Sequence, residues 1–188
     1  GKEFAVGRDD ALYAATPPLE ALRLIVSNAP TYSESKARRM IMINDVRRAY
    51  FYAKINRDVY IDLPAEDPKH GTGLLGKLKL CLYGTRDAAK SWQETLSCHL
   101  ESIGFTRGKG HPCVFWHAER QVMTLVHGDD YVSSGSERDM AWLEKELEKA
   151  HEIQTQKIDA ERTEGKVLNR ILLHTPEGWE MGADPRHA

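Results

Sequence analysis

Apolar and polar positions along the chain follow two periods, and the switches between them mark the element boundaries. In LEALRLIVS, Leu19, Leu22 and Val26 share one helical face, and Thr16-Pro17-Pro18 stands before them. That pattern predicts an N-capped helix with proline in its first turn. Residues 31–38 are polar and read as a loop. MIMINDV (40–46) is a short apolar run bounded by charge, which suggests a buried strand ending at Asp45. RRAYFYAKI, directly after it, can begin a helix. VYIDLP (59–64) alternates as a strand does, and a loop containing proline and glycine follows it through Gly71-Thr72-Gly73.

The clearest helical signal begins at Asp87. Ala89, Trp92, Leu96, Leu100 and Ile103 recur at steps of three and four on one amphipathic face, and Gly104 can terminate the helix. CVFWH (113–117) and VMTLVH (122–127) read as strands joined by the polar turn AERQ, and YVSSG (131–135) as a third strand. Ser136 is placed to cap a second helix, ERDMAWLEKELEKA, with acidic residues early and Lys149 late, as the helix dipole favours. HEIQTQKI, KVLNRILLHT and GWEM suggest further short strands. The order is helix, strand, helix, strand, long helix, hairpin, helix, strands. It predicts an α+β layout: an antiparallel sheet with helices packed on one face.

Composition narrows the function classes. The 188 residues are 41% hydrophobic and 29% charged, an ordinary globular balance for one domain or a large piece of one. A net charge of −2 excludes a strongly basic tail but leaves room for a local basic face. No apolar run approaches the roughly 20 residues of a membrane span, so a membrane partner is not expected. Cys81, Cys98 and Cys113 form no CxxC pair, which points to a reducing, intracellular setting. Both termini read as cut from a larger polyprotein.

The candidate chemistry lies in LVHGDDYV (125–132). Asp129 and Asp130 are adjacent carboxylates between two apolar runs, where each raises the other's cost of ionisation. If the strand ending at Asp45 neighbours this hairpin, three carboxylates converge at one end of a sheet. Magnesium is a hard cation that takes carboxylate, phosphate and water oxygens, and two such ions about 4 Å apart can clamp the attacking and leaving oxygens of a phosphoryl transfer. Gly128 permits the tight backbone such a turn needs. The pair alone is weak evidence: the chain has 28 acidic residues, and Asp9-Asp10 is another such pair. A solvated hairpin turn explains it as readily as a metal site.

Four ordered blocks make the pattern specific. DVRRAYFYAKINRDVYIDLP (45–64), LKLCLYGTRDAAKSWQETLSCHLESIGF (78–105), HPCVFW with LVHGDDYVSSGS, and ALYAATPPLEALRLIVS (11–27) together resemble the reverse transcriptase domain of Ty1/copia-type retrotransposon Pol polyproteins. The resemblance covers nearly the whole chain. It implies a right-hand polymerase fold, fingers and palm, as a single partial domain over 1–188. Residues 1–40 would be the remaining fingers segment, 41–160 the palm with an inserted fingers block at 65–90, and 161–188 the end of the palm, with the thumb absent.

By that resemblance Asp45, Asp129 and Asp130 are the catalytic triad holding two Mg2+ ions, with Mn2+ as an alternative, and the Val46 carbonyl is a further metal ligand. The implied reaction is attack of a primer 3′-hydroxyl on the α-phosphate of a dNTP, with release of pyrophosphate. Tyr50 aligns with the aromatic that excludes a 2′-hydroxyl; a core ring beside Phe51 and Tyr52 is the alternative. Gly84, Arg86 and the Asp87-Ala88-Ala89 turn correspond to the block that contacts nucleotide and template. Arg86 or Lys90 would meet phosphates there, unless they are only solvated. Lys157 is a candidate general acid for pyrophosphate. His127 and Gly128 stand where the family has the tyrosine and valine of its YVDD stretch, with His127 toward the primer. The implied partners are an RNA/DNA template-primer, dNTPs, and the integrase and RNase H of the parent polyprotein. The implied location is the cytoplasm, in the element's virus-like particle, and the nucleus.

The chain departs from the family pattern at His127 and at Asp87-Ala88-Ala89. The arginine that would grip the triphosphate falls upstream of Gly1. Two other readings therefore stand beside the polymerase: an inactive remnant kept as a folded or nucleic-acid-binding module, and a small zinc module using His111, Cys113 and His117. The last lacks an evident fourth ligand, and alternating strand faces explain those residues more simply.

Overall fold

The computed structural model describes residues 17, 19–31 and 39–183. The Thr16 cap and Pro18, the loop at 32–38, the block from Ala11 to Thr16 and the final residues 184–188 lie outside them. The described chain forms two compact units. One contains Arg48–Leu96, and the other contains the residues up to Arg47 and those from Ser97 on.

The larger unit is built on a six-stranded sheet in which every neighbouring pair is antiparallel. Its strands are β1 (Arg39–Val46), β4 (Thr106–Arg107), β5 (Val114–His117), β6 (Val122–His127), β7 (Asp130–Ser136) and β8 (Ile153–Ile158), in the order β4-β5-β6-β7-β1-β8. β1 therefore lies between β7 and β8, buried along nearly its whole length. Met40–Ile43 are apolar on both faces because both faces are covered. The edge strand β4 had no signature in the sequence; at two residues it is too short to show a period.

Parity along β1 separates the two faces. Ile41 and Ile43 join Leu125, Val132 and Ile158 in a core closed by Ala21, Leu22 and Ile25 of helix α1 (Leu19–Asn28). Val167 and Leu172 join the same core from a three-stranded sheet of β9 (Glu164–Val167), β10 (Arg170–Thr175) and β11 (Gly178–Ala183). Ser134, on this face, donates its hydroxyl hydrogen to the Asn28 side chain at 3.2 Å.

Helix α3 (Glu137–Ala150) packs on the opposite face. A Cβ added at Gly135 would lie 2.6 Å from Met140 Cε and 3.0 Å from Val122 Cγ2, so the Met140 side chain of α3 packs into the space the glycine leaves. Helices thus cover both faces of the sheet, which corrects the one-face layout expected from the sequence. The reason is that each strand of the sheet's centre carries apolar residues at odd and even positions alike, and each set needs its own cover. Ser136 caps α3 as expected: its hydroxyl oxygen accepts from the Asp139 N–H at 3.2 Å.

In the unit of Arg48–Leu96 the expected helix after Asp45 is only a single 3₁₀ turn, Ala49–Tyr52. Arg48 enters it in the left-handed conformation (φ 55°), and Ala53 leaves it extended, so no α-helix can propagate. β2 (Tyr60–Asp62) pairs antiparallel with β3 (Leu75–Lys77), and both strands are largely exposed. Helix α2 (Ala88–Ser102) begins in this unit, where Trp92 is buried and lies 6.3 Å from the Tyr52 ring, and stops before Gly104.

Tyr131 is fully buried, and its hydroxyl has no hydrogen-bond partner among the described residues. Burial also pushes its ionisation well above the usual tyrosine range. A buried unsatisfied hydroxyl costs roughly 1–3 kcal/mol. Tyr131→Phe is therefore expected to leave the melting temperature unchanged or raise it. A fall of more than about 3 °C, near 1 kcal/mol for a chain of this size, would refute the assignment.

Candidate active site

The site begins with a hairpin. His127 of β6 pairs with Asp130 of β7, leaving Gly128 and Asp129 as a two-residue loop. Gly128 has φ +60° while Asp129 does not take a positive φ, which fits the II′ class of tight hairpin turn and explains the glycine. The loop meets β1 through backbone: the Val46 N–H donates to the Asp129 carbonyl at 2.9 Å. Register then sets Asp45 directly opposite Asp130. Carboxylate oxygens of Asp45, Asp129 and Asp130 all lie within 4.8 Å of one another, each residue half-buried.

Three like charges this close disfavour their own ionisation. Asp130 is pushed up to about 6, chiefly by burial and then by Asp129 and Asp45. Asp45 is raised by burial and by Asp129, against a lowering by Arg47. The ion pair of the Arg47 guanidinium is with Glu152, at 2.9 Å. Among the described residues no lysine or arginine forms an ion pair with any of the three carboxylates. Hard oxygen donors, converged and without an ion-pair partner among the described residues, are a donor set that suits a divalent cation such as Mg2+ or Mn2+.

Beside the triad, residues on consecutive strands form a row on one face of the sheet. His127 faces Asp130, Asp130 faces Asp45, and Asp45 faces Gln154 of β8. The His127 Nδ1 is buried without a hydrogen-bond partner among the described residues. Gln154 was not expected from the sequence. HEIQTQKI shows only alternation, and nothing in it reveals that β8 borders β1.

Lys157 is not brought to this row. It pairs with Met42, so its side chain lies on the α3 face, and its Nζ is 2.6 Å from a Glu144 carboxylate oxygen of that helix. The even step from Met42 to Asn44 skips the face that Asp45 occupies. The zinc reading also fails on geometry. Cys113 is buried in the core under α1, whereas the His117 ring sits against Trp142 of α3 at 5.2 Å, across the sheet. Among the described residues only the aspartate triad forms a converging group of three such side chains.

The remaining candidates belong to the Arg48–Leu96 unit. The Tyr50 ring packs on Tyr83 at 4.4 Å between centroids. Gly84 follows Tyr83 in a turn at φ +85°, and Arg86 is exposed. Lys90, in the first turn of α2, lies 3.9 Å from Glu94. Asp87 is buried and held by Arg57 at 3.0 Å, while its carbonyl accepts from the Ser91 N–H as α2 begins.

A family model described as reverse transcriptase (RNA-dependent DNA polymerase) matches residues 9–161. The chain belongs to the reverse transcriptase family. By family it is a nucleotidyltransferase, and its relatives are of the Ty1 retrotransposon Pol type. The Transposon Ty1-DR4 Gag-Pol polyprotein of Saccharomyces cerevisiae is 33% identical over 90 residues, which cover 47% of this chain and 5% of that polyprotein. The Transposon TyH3 Gag-Pol polyprotein of Saccharomyces cerevisiae matches to the same extent. The chain therefore corresponds to a small part of these relatives' length. Within this reverse transcriptase chain, the matched family region contains Asp45, Asp129 and Asp130. No helix among the described residues is long and apolar enough to cross a membrane.

The raised ionisation of Asp130 carries a pH dependence. Its folded value, about 6, lies above the ordinary carboxylate value of the unfolded chain. Its contribution to stability is therefore full below about pH 4 and is lost as pH rises through about 6. In the metal-free protein, Asp130→Asn is expected to raise the melting temperature at neutral pH and to change it little near pH 4. Thermal denaturation in chelator at the two pH values measures this; an equal shift at both would exclude the electrostatic cause.

Proposed function

We propose that this chain is the RNA-directed DNA polymerase domain of a retrotransposon Pol polyprotein, extending a primer 3′-hydroxyl with dNTPs by two-metal nucleotidyl transfer. The observation that carries the reading is the convergence of Asp45, Asp129 and Asp130 at one end of the sheet. Asp45, Asp129 and Asp130 would hold two Mg2+ ions, or Mn2+ in their place, with the Val46 carbonyl as a further ligand. Bound there, the cations would supply Lewis-acid activation of the primer hydroxyl and charge stabilisation at the α-phosphate and the leaving pyrophosphate.

The chain's own residues take the remaining roles. The hairpin sets Asp129 and Asp130 on consecutive positions of a turn and a strand, so that the two carboxylates approach a common point from different directions. His127, capable of donating a hydrogen bond or stacking, supports the primer terminus, and Gly128 leaves room beside it. Tyr50 excludes a 2′-hydroxyl by the bulk of its ring, which Tyr83 braces. Gly84 and Arg86 line the nucleotide block, where Arg86 is free to meet phosphate. Lys157, tied to Glu144, is better explained as a strap between β8 and α3 than as a proton donor. The fingers and palm assignments, and the integrase and RNase H of the parent polyprotein, follow the same reading, as does residence in the cytoplasmic particle and the nucleus.

A second reading, an inactive remnant kept as a folded module, is favoured by one observation. Asp87 replaces a polar residue of the nucleotide block and is buried in an ion pair with Arg57, so its side chain is not offered to a nucleotide.

Primer extension on an RNA template, with Mg2+ and the polymerase region of the parent polyprotein, separates the two. Asp129→Asn is expected to reduce extension by at least about 10²-fold, the scale lost with one electrostatic stabiliser. The circular dichroism spectrum should be unchanged. Extension that survives Asp129→Asn would refute the metal-ligand role, and absence of extension in the unmodified protein would favour the remnant. A second measurement tests the gate. Tyr50→Ala is expected to increase the ratio of rNTP to dNTP incorporation, and an unchanged ratio would return Tyr50 to a packing role.

A further inference from the structure

The ladder between β1 and β8 runs one hydrogen bond past its last strand pair, Val46 with Ile153. The Arg47 N–H donates to the Glu152 carbonyl at 2.9 Å. The side chains of the same two residues also meet, with Arg47 Nη1 2.9 Å from Glu152 Oε1 and both about half exposed. An exposed ion pair adds little to stability, because solvent screens it and two long side chains must be ordered. What sets this pair apart is the place of its cation. Arg47 follows Asp45 by two residues, a step of roughly 6.6 Å in extended chain, which an arginine side chain spans. Its charge already reaches that carboxyl: burial and Asp129 raise the ionisation of Asp45, and Arg47 lowers it.

We propose that Glu152 is a positioning residue that holds the Arg47 guanidinium beside the aspartates and off the Asp45 carboxylate, so that the cation site stays open. This inference rests on the metal-site reading above and concerns what keeps one of the chain's own cations out of that site.

The chemistry of the competitor gives the role its purpose. A guanidinium offers N–H donors in a planar fork that matches the two oxygens of a carboxylate, and those are the oxygens a divalent cation requires. Glu152 supplies Arg47 with a carboxylate that is not one of the three. Both partners are fixed at the backbone, so the geometry is set before any ligand arrives. The Val46 N–H donates to the Asp129 carbonyl and the next N–H, of Arg47, to the Glu152 carbonyl, which ties consecutive residues to the hairpin and to the start of β8. On the other side α3 is closed by the His151 N–H, which donates to the Leu147 carbonyl at 2.9 Å. Glu152 lies between that helix end and Ile153, the first residue of β8.

The test is Mn2+ binding to the whole chain at low ionic strength, followed by electron paramagnetic resonance, with thermal melting in parallel. Glu152→Gln keeps the size and removes the charge that holds Arg47. It is expected to weaken Mn2+ binding about three- to fivefold, the scale of one exposed ion pair, with an unchanged melting temperature. Arg47→Met removes the competitor and is expected to bind Mn2+ at least as tightly as the unmodified chain. In the Arg47→Met background, Glu152→Gln is expected to leave the affinity as it was, since no guanidinium remains to be held. The same loss in both backgrounds would show Glu152 acting through its own charge and would overturn the positioning role. Mn2+ binding that is lost in Asp45→Asn yet undiminished in Glu152→Gln would overturn that role alone. Absence of any Mn2+ binding sensitive to Asp45→Asn would overturn the metal-site reading, and this inference with it.

Discussion

The register of β1 between β7 and β8 is the constraint on which the rest depends. Three carboxylates gathered at one sheet end repel one another, and burial adds to the cost, as the raised ionisation of Asp130 records. They stay together because their backbones are not free to part. Asp45 is paired with Asp130 on one side and Gln154 on the other, and the Val46 N–H is bonded to the Asp129 carbonyl. A slip of one residue would turn Ile41 and Ile43 out of the core under α1 and send Asp45 to the opposite face. The apolar cost of that slip exceeds what the repulsion could gain, so the core enforces the cluster. Burying a branched aliphatic side chain is worth roughly 1.5–3 kcal/mol.

The two faces of this sheet divide the work. The face carrying Ile41 and Ile43 is closed by α1 and the β9–β11 sheet, and the same stripe ends, beyond that cover, in Asp45. The other face receives α3, with Met140 packed over Gly135, and holds a layer of polar side chains: the Thr124 and Ser133 hydroxyls at 3.1 Å, Asn44 with Thr155, and Lys157 with Glu144. Charges on the α3 face are paired. The aspartates at the site end form no ion pair among the described residues, and the contrast within one sheet is consistent with the cation-holding role proposed for them.

Membership of the reverse transcriptase family and the geometry of the triad support each other from independent directions. The family match concerns the order of motifs along the chain. The geometry concerns whether those motifs meet. Departures from the family pattern are also given a physical meaning by the fold. Asp87 is a buried partner of Arg57, and His127 lies directly opposite Asp130.

Much of this was legible in the residues. Helices α2 and α3 were readable from their apolar spacing, and β1, β6 and β7 from short apolar runs, because local periodicity reports which side of an element is buried. The hairpin at Gly128 was readable because a two-residue turn leaves its mark in glycine. The ordered blocks, by resemblance, named the three aspartates. The tertiary structure alone decided which strands are neighbours. It put β8 beside β1 and so Gln154 beside Asp45; it sent Lys157 to the far face, separated Cys113 from His117, and covered both sides of the sheet with helices. Periodicity tells a strand which of its residues face inward, but strand order and register arise from contacts far apart in sequence, and no local pattern encodes them.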